Sequence, residues 1–194
     1  MKHLLTLRFQ FYKNLGEKAM EPLMEDELHW QYNEESNSIA VLVNHISGNM
    51  QSRFTNFLTE DGEKPWRNRD AEFENSYQSK EELLNIWEKG WDCLFQALEQ
   101  LDEENLKNTV TIRGEAMLVA DALFRQLSHY AYHVGQMVYI AKMIKNSDWK
   151  SLSIPKNKSK EFNAKMLNKN EDLEQENASP VCFAKSNEIR DEYK

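Results

Sequence analysis

The sequence predicts an all-α protein folded as a four-helix bundle. Four long stretches without proline carry apolar side chains every three or four residues, which is the spacing of one helix face. The connections between these stretches are long enough to cover the ends of a bundle. Residues 109–113 alternate as a short extended segment does, and Gly114 interrupts them, so the sequence indicates no substantial sheet.

The first two helices are predicted over residues 4–20 and 39–58. Pro22 follows the first helix closely and acts as a stop signal. Asn37 or Ser38 precedes the second, and either side chain is suited to accept hydrogen bonds from the first turn. Both helices therefore have recognisable ends as well as an apolar stripe.

The third helix follows an unusually long connection. The loop of about 18 residues that begins at Asp61 is longer than most connections within a compact domain, and such loops are often functional. Ser79 and Glu82 then form a capping box, in which each side chain satisfies a backbone donor of the other residue. This predicts a helix to about residue 101, and the fourth helix is predicted over residues 118–145.

The last part of the chain differs in composition from the rest. Residues 168–194 combine mixed charge with low hydrophobicity, which predicts a polar tail that is mobile or weakly helical. Residues 1–167 are predicted to form the single folded domain, with residues 153–167 packed along the bundle.

Charge narrows the range of partners. The protein has 194 residues and a formal net charge of −8, and residues 151–194 carry as many acidic as basic side chains, so the negative excess lies in the body. Nucleic acids and anionic membranes attract basic surfaces, so neither is an expected partner.

Cys93 and Cys182 form no disulfide framework, and no apolar run approaches the length of a membrane span. We expect a soluble cytoplasmic protein.

Three histidines are the candidate site. His129 and His133 lie four residues apart on the fourth helix, so their side chains share one face. His45 lies among the apolar residues of the second helix. One interpretation is that the three imidazoles hold a divalent metal ion, and the other is that each makes an ordinary hydrogen bond to a neighbouring carboxylate. Three buried imidazoles that lacked partners would each cost about 1–3 kcal/mol, which favours a shared ligand.

Two residues flank the histidine pair and are candidates for substrate binding. Arg125 precedes His129 by one turn, and Gln136 follows His133 by three residues. Arg125 is suited to hold a substrate carboxylate, or alternatively to pair with the acidic loops. No glutamate adjoins either histidine of this helix, so the sequence identifies no general base.

The long loop adds a cluster of one aromatic and two basic residues, namely Trp66, Arg67 and Arg69. It is interpreted either as a lid or anion clamp over the site, in which Trp66 would be a third candidate for substrate binding, or as a structural element in which Trp66 plugs the end of the bundle. In the second case the arginines would pair with acidic neighbours, for which the candidates are Glu60, Asp61, Asp70 and Glu72. The same two interpretations apply to Arg53 and Arg113.

Residues 1–167 resemble the DinB-like superfamily, and within it the branch known as domain of unknown function 1572. Four stretches carry the resemblance: NSIAVLVNH at residues 37–45, DGEKPWRNRD at 61–70, TIRGE at 111–115 and QLSHYAYHVGQ at 126–136. It implies a DinB/YfiT-like four-helix bundle in up-down-down-up order. It also implies a divalent metal ion (nickel, zinc, iron or manganese) on His45, His129 and His133, and a homodimer.

Characterised members of this superfamily include S-transferases that use low-molecular-weight thiols, and the resemblance therefore implies a small-molecule thiol as a partner. Our first hypothesis is a metal-dependent enzyme, either a thiol (bacillithiol-type) S-transferase or a hydrolase. The alternative is a non-catalytic module that binds a small ligand or responds to stress and contains a structural metal.

Overall fold

The computed structural model describes residues 1–74 and 76–178, with side chains to residue 168. This part of the chain contains six helices and a two-stranded antiparallel sheet, together with short 3-10 turns at Asp70–Phe73, Asn105–Lys107 and Asn146–Asp148. The elements are α1 (Lys2–Met20), α2 (Glu25–Leu28), α3 (Ile39–Phe54), α4 (Lys80–Glu99), β1 (Thr109–Ile112), β2 (Glu115–Leu118), α5 (Val119–Lys145) and α6 (Ser159–Ala178). The prediction of an all-α fold is confirmed.

Helices α3 and α4 run parallel to each other. The Ser47 hydroxyl donates to the Ile86 carbonyl at 2.7 Å, and further along both helices Thr55 lies 3.7 Å from the Cys93 sulfur. The helices approach closely at Gly90, since a Cβ there would lie only 2.7 Å from the Cα of Ser47. Any side chain at position 90 would push the two helices apart.

Helix α1 is antiparallel to this pair. Near its start the Lys2 ammonium group donates to the Glu99 carbonyl at 3.0 Å, and towards its end Lys13 lies 2.8 Å from Glu88. Residue numbers thus rise along α1 as they fall along α4.

Helix α5 is antiparallel to α3. The Tyr130 hydroxyl donates to Asn49 at 2.9 Å, while the later residue His133 lies against the earlier residue His45, with ring centroids 4.9 Å apart. The order is therefore up-down-down-up, as predicted, and α3 and α5 face each other across the candidate site.

The bundle encloses an aromatic core. Trp91 has its ring centroid 5.4 Å from that of Trp87 and 5.8 Å from that of Tyr130, and the Tyr130 ring lies 6.1 Å from Phe9. All four side chains are buried completely. Burying such a side chain contributes roughly 1.5–3 kcal/mol, so these contacts help to hold α1, α4 and α5 together.

The prediction differs from the structure most clearly at the end of α3 and at the two strands. Helix α3 ends at Phe54 rather than at 58, and Asn56 adopts a left-handed conformation with φ 51°, which asparagine tolerates better than most residues. The predicted extended segment is β1, but its partner β2 was not expected. Arg113 and Gly114 both have positive φ, as the two-residue turn of a hairpin requires.

The chain divides into two units, residues 1–149 and 150–194. The described part of the second unit contains α6, which continues across the predicted domain boundary at residue 168 to Ala178. That boundary stays a prediction, and residues 179–194, on which the rest of the predicted tail falls, lie outside the described residues. Within the described ranges no helix is both long and apolar enough to cross a membrane.

Candidate metal centre

The three predicted histidines lie together between α3 and α5. His45 is 5% exposed because its neighbours on α3, Leu42 and Ile46, face the core and turn this side of the helix inward. Its Nε2 atom lies 3.2 Å from Nε2 of His129, which in turn lies 3.0 Å from Nε2 of His133. One nitrogen from each residue falls within 4.8 Å of the others, so the group could hold a metal ion.

These distances match the edge of a coordination polyhedron. Two nitrogens bonded to one ion at about 2.1 Å lie about 3.0 Å apart at a right angle and about 3.4 Å apart at the tetrahedral angle. The two closest separations here, 3.0 and 3.2 Å, fall in that interval. These two separations therefore fit histidines that share one metal ion.

Hydrogen bonds on the opposite sides of two rings fix which nitrogens carry lone pairs. The Nδ1 atom of His45 lies 2.9 Å from a carboxylate oxygen of Glu72, and Nδ1 of His133 lies 2.9 Å from the amide oxygen of Gln136. Both partners are acceptors, so both Nδ1 atoms carry a proton, and in the neutral form of each ring the lone pair is then on Nε2. A proton on Nε2 of His129 could be donated to only one of these two lone pairs. A metal cation could instead bind the Nε2 atoms of all three histidines. Such outer partners are typical of histidines that bind metals.

Glu72 is itself held firmly. Arg67 donates to its two oxygens at 2.6 and 2.8 Å, which is a bidentate ion pair. Gly48, one turn after His45, leaves the space that the carboxylate occupies, because a Cβ at position 48 would overlap it. Burial alone would raise the pKa of Glu72, but the hydrogen bonds from Arg67 and His45 outweigh burial and hold that pKa below its usual range.

The histidines of α5 are neutral at physiological pH. Burial lowers the pKa of His129, and unfavourable electrostatic interactions with His133, His45, Arg53 and Arg67 act in the same direction, which brings it to about 3. Burial also lowers the pKa of His133, although its hydrogen bond to Gln136 acts in the opposite direction. Neutral imidazole is the form that binds metal ions, so both residues are ready to act as ligands.

We expect the metal-free protein to lose stability as the pH falls below about 6.5, where histidines of the unfolded chain take up protons. Folded His129 stays neutral until about pH 3, so between these values the unfolded state binds more protons and stability rises with pH. Melting temperatures of chelated native protein and of His129→Gln, measured between pH 7.5 and 5, should show a shallower slope for the variant. Equal slopes of melting temperature against pH for the two proteins would contradict the lowered pKa of His129.

The loop that carries Arg67 and Glu72 is anchored to the β hairpin. The Asp61 carboxylate accepts backbone hydrogen bonds from Glu63 at 2.7 Å and from Arg113 and Gly114 at 2.8 Å each. These bonds lower the pKa of Asp61 well below its usual range. The hairpin thus fixes the start of the loop, and the loop then brings Glu72 to His45.

A cavity of about 230 Å³ opens beside His45 and His129. It is lined by those two histidines and by Asn49, Arg53, Arg67, Arg69, Arg113, Arg125 and Gln126. Arg125, predicted to bind substrate, is therefore next to the site. Arg67 satisfies both earlier interpretations at once, because it pairs with Glu72 and also lines the cavity.

The other two predicted substrate-binding residues lie differently. Gln136 contacts His133 and also lines a separate groove of about 860 Å³, whose lining residues include Trp30, Tyr132 and Tyr139 but none of the three histidines. Trp66 is 58% exposed and lines neither space, so it does not plug the bundle, and its role in substrate binding stays a prediction.

Sequence reasoning missed the link from Glu72 to His45 and the presence of Asn49 and Gln126 at the cavity. The length of the loop was the available signal for Glu72. His29 does not join the group, since its ring lies against Tyr77 and its Nε2 is 2.8 Å from the Gln78 carbonyl.

The fold and the histidine group define the class of protein as an all-α bundle with a candidate metal centre between two helices. Residues 2–158 match the family described as "Protein of unknown function (DUF1572)", and the chain belongs to that family. The match covers the whole bundle, both histidine-bearing helices and the loop between α3 and α4.

A solved structure shares the fold. It is described as "Crystal structure of the conserved protein of locus from Enterococcus faecalis", with 14% sequence identity and a TM-score of 0.59. The similarity covers 74% of this chain and 96% of that one. A search of curated proteins found no significant match.

Proposed function

We propose that this protein is a divalent-metal-dependent S-transferase that joins a low-molecular-weight thiol to a small electrophilic substrate. The observation that carries the proposal is the convergence of three imidazole nitrogens, two of them with their lone pairs fixed by Glu72 and Gln136. An ion held by three neutral imidazoles keeps open coordination positions and lowers the pKa of a water or thiol bound to it.

The cavity favours a thiol over water as the nucleophile. Among the described residues no aspartate or glutamate lines it, and Glu72 is engaged by His45 and Arg67. Without a general base, the reaction needs a nucleophile that loses its proton easily. A free thiol, with a pKa of about 8.5, ionises close to neutral pH before a metal ion lowers that pKa further, whereas water, at about 15.7, depends on the metal ion alone.

The arginines of the cavity also favour an anionic nucleophile. In the transfer the thiol loses its proton to solvent, its sulfur forms a bond to the electrophilic carbon, and the leaving group departs with the electron pair of the broken bond. Five arginines line the cavity and only two carboxylates within the described part of the chain pair with them, so the excess positive charge beside His129 stabilises the thiolate and the negative charge that develops on the leaving group.

The metal-dependent part of the proposal is tested on protein purified without a histidine tag. We expect about one equivalent of a divalent metal, and a melting temperature that falls by about 5–10 °C on chelation. That shift corresponds to the roughly 2.7 kcal/mol that a ligand contributes at a hundred times its dissociation constant. A preparation without metal, whose melt does not respond to added zinc, nickel, iron or manganese, would show that the histidines do not form a metal site.

The reaction is then tested with small thiols and monochlorobimane as the electrophile. Metal-loaded protein should accelerate conjugation, whereas chelated protein and His45→Ala should not. Metal-dependent hydrolysis without thiol conjugation would assign the site to a hydrolase instead. Metal binding with neither activity would leave the centre as part of a non-catalytic binding module.

A further inference from the structure

The cavity beside the histidines concentrates positive charge on an otherwise acidic protein. Five of its lining residues are arginines, although the chain as a whole carries a formal net charge of −8. Two carboxylates, Glu63 and Glu72, pair with members of this group, which leaves an excess of three positive charges (5 − 2).

The five arginines, namely Arg53, Arg67, Arg69, Arg113 and Arg125, differ in how far they are already engaged. Arg67 is bound by Glu72, and Glu63 accepts from Arg53 at 3.1 Å and from Arg113 at 3.0 Å. Arg69 and Arg125 have no carboxylate oxygen within 4.0 Å in the described part of the chain. These two guanidinium groups are therefore available to a ligand.

Both available arginines lie next to the histidines. Arg69 packs over the ring of Phe73 at 4.9 Å, and Phe73 in turn packs against His45 with ring centroids 4.7 Å apart. Arg125 lies one turn before His129 on α5. A group held between them would lie beside the point on which the imidazole nitrogens converge.

A buried amide at the same cavity lacks a partner. Gln126 is 4% exposed and its Oε1 atom has no hydrogen-bond donor. Buried carbonyl oxygens are nearly always paired, so this oxygen in the cavity wall can accept a hydrogen bond from a water molecule or from a ligand group that donates. A hydrogen phosphate, or a carboxylate next to a hydroxyl group, offers such a donor together with negative charge.

We propose that this cavity binds a small oxyanion group, a carboxylate or a phosphate, with Arg69 and Arg125 as its ion-pair partners. At about 230 Å³ the cavity is smaller than pockets for drug-sized ligands, so it suits one small anionic group rather than a nucleotide or a peptide. That this group belongs to the substrate rests on the proposed function, whereas anion binding by the arginines does not.

The test measures binding of inorganic phosphate and of lactate by calorimetry, at constant ionic strength, to metal-loaded and to chelated protein. The two probes separate phosphate from carboxylate recognition. We expect at least one of them to bind both forms, because the arginines hold it without the metal. Arg69→Gln and Arg125→Gln should each weaken that binding about tenfold or more, as loss of a charged hydrogen bond does.

Lys89→Gln is the matched control, since it removes one positive charge from an exposed residue of α4 that does not line the cavity. It should leave the affinity for both probes unchanged. Affinity that is equally unchanged in the Arg69→Gln/Arg125→Gln double variant, or no binding of either probe to native protein, overturns the proposal. The double variant should still bind the metal ion, so loss of the anion site and loss of the metal site are seen separately.

Discussion

His129→Ala and His133→Ala should each lower metal affinity by more than a hundredfold. The double variant should bind metal only slightly more weakly than either single variant. The three imidazoles share one ion, so removing one leaves an incomplete site to which the others contribute little. Loss of a partner in the outer shell costs about 10–100-fold, and loss of a ligand should exceed it. Calorimetric titration of chelated protein with zinc, nickel and manganese provides the measurement.

The same variants separate a shared metal from three independent histidines. If each imidazole only made its own hydrogen bond, the losses of stability would add, and chelation would not matter. With a shared ion, the difference in melting temperature between metal-loaded and chelated protein should disappear in His45→Ala, His129→Ala and His133→Ala alike. His3→Ala, an exposed histidine of α1, is the control and should retain the full difference.

The histidine group could be predicted because two kinds of sequence pattern determine it. Spacing of four residues places His129 and His133 on one face whatever surrounds the helix. The apolar neighbours of His45 place it on the buried side of its helix. A small bundle has a single core, so buried histidines on two of its helices come close together. Neither step depends on the conformation of a loop.

Glu72 could not be predicted in the same way. It lies in a short 3-10 turn within the irregular loop between α3 and α4, and its position depends on Asp61, which binds the turn between β1 and β2. The second strand of that hairpin was itself not predicted, because Glu115–Leu118 does not alternate clearly and adjoins a long helix. A carboxylate held by long-range contacts leaves no local signal beyond the length of its loop.

The arginines show why a choice between a structural and a functional role was unsuitable here. In the sequence alone, an ion pair with an acidic residue and a role at the site were alternatives. Arg67 has both roles, because its ion-pair partner Glu72 lies between it and His45. An ion pair in the wall of a cavity contributes to the fold and sets the charge that a ligand meets.

Replacing Glu72 by alanine should have the second large effect, on stability as well as on metal binding. The Arg67 side chain is 2% exposed and its bidentate partner would be lost, which leaves a buried charge largely uncompensated. Breaking a buried ion pair in this way costs about 3–5 kcal/mol, or roughly 6–20 °C in melting temperature for a chain of this size. Metal affinity should also fall by about 10–100-fold, since His45 loses the acceptor that orients it.

A variant that keeps Glu72 but moves it separates these two effects. A methyl group at position 48 would overlap the carboxylate, so Gly48→Ala should displace Glu72 from His45 and lower metal affinity while the carboxylate remains near Arg67. Gly135→Ala is the matched control, because this helical glycine has no atom within 4 Å of the added methyl group. Zinc titration and thermal melts of the three variants provide the measurements. If Gly48→Ala bound zinc as tightly as Gly135→Ala does, the hydrogen bond from His45 to Glu72 would have no part in holding the metal.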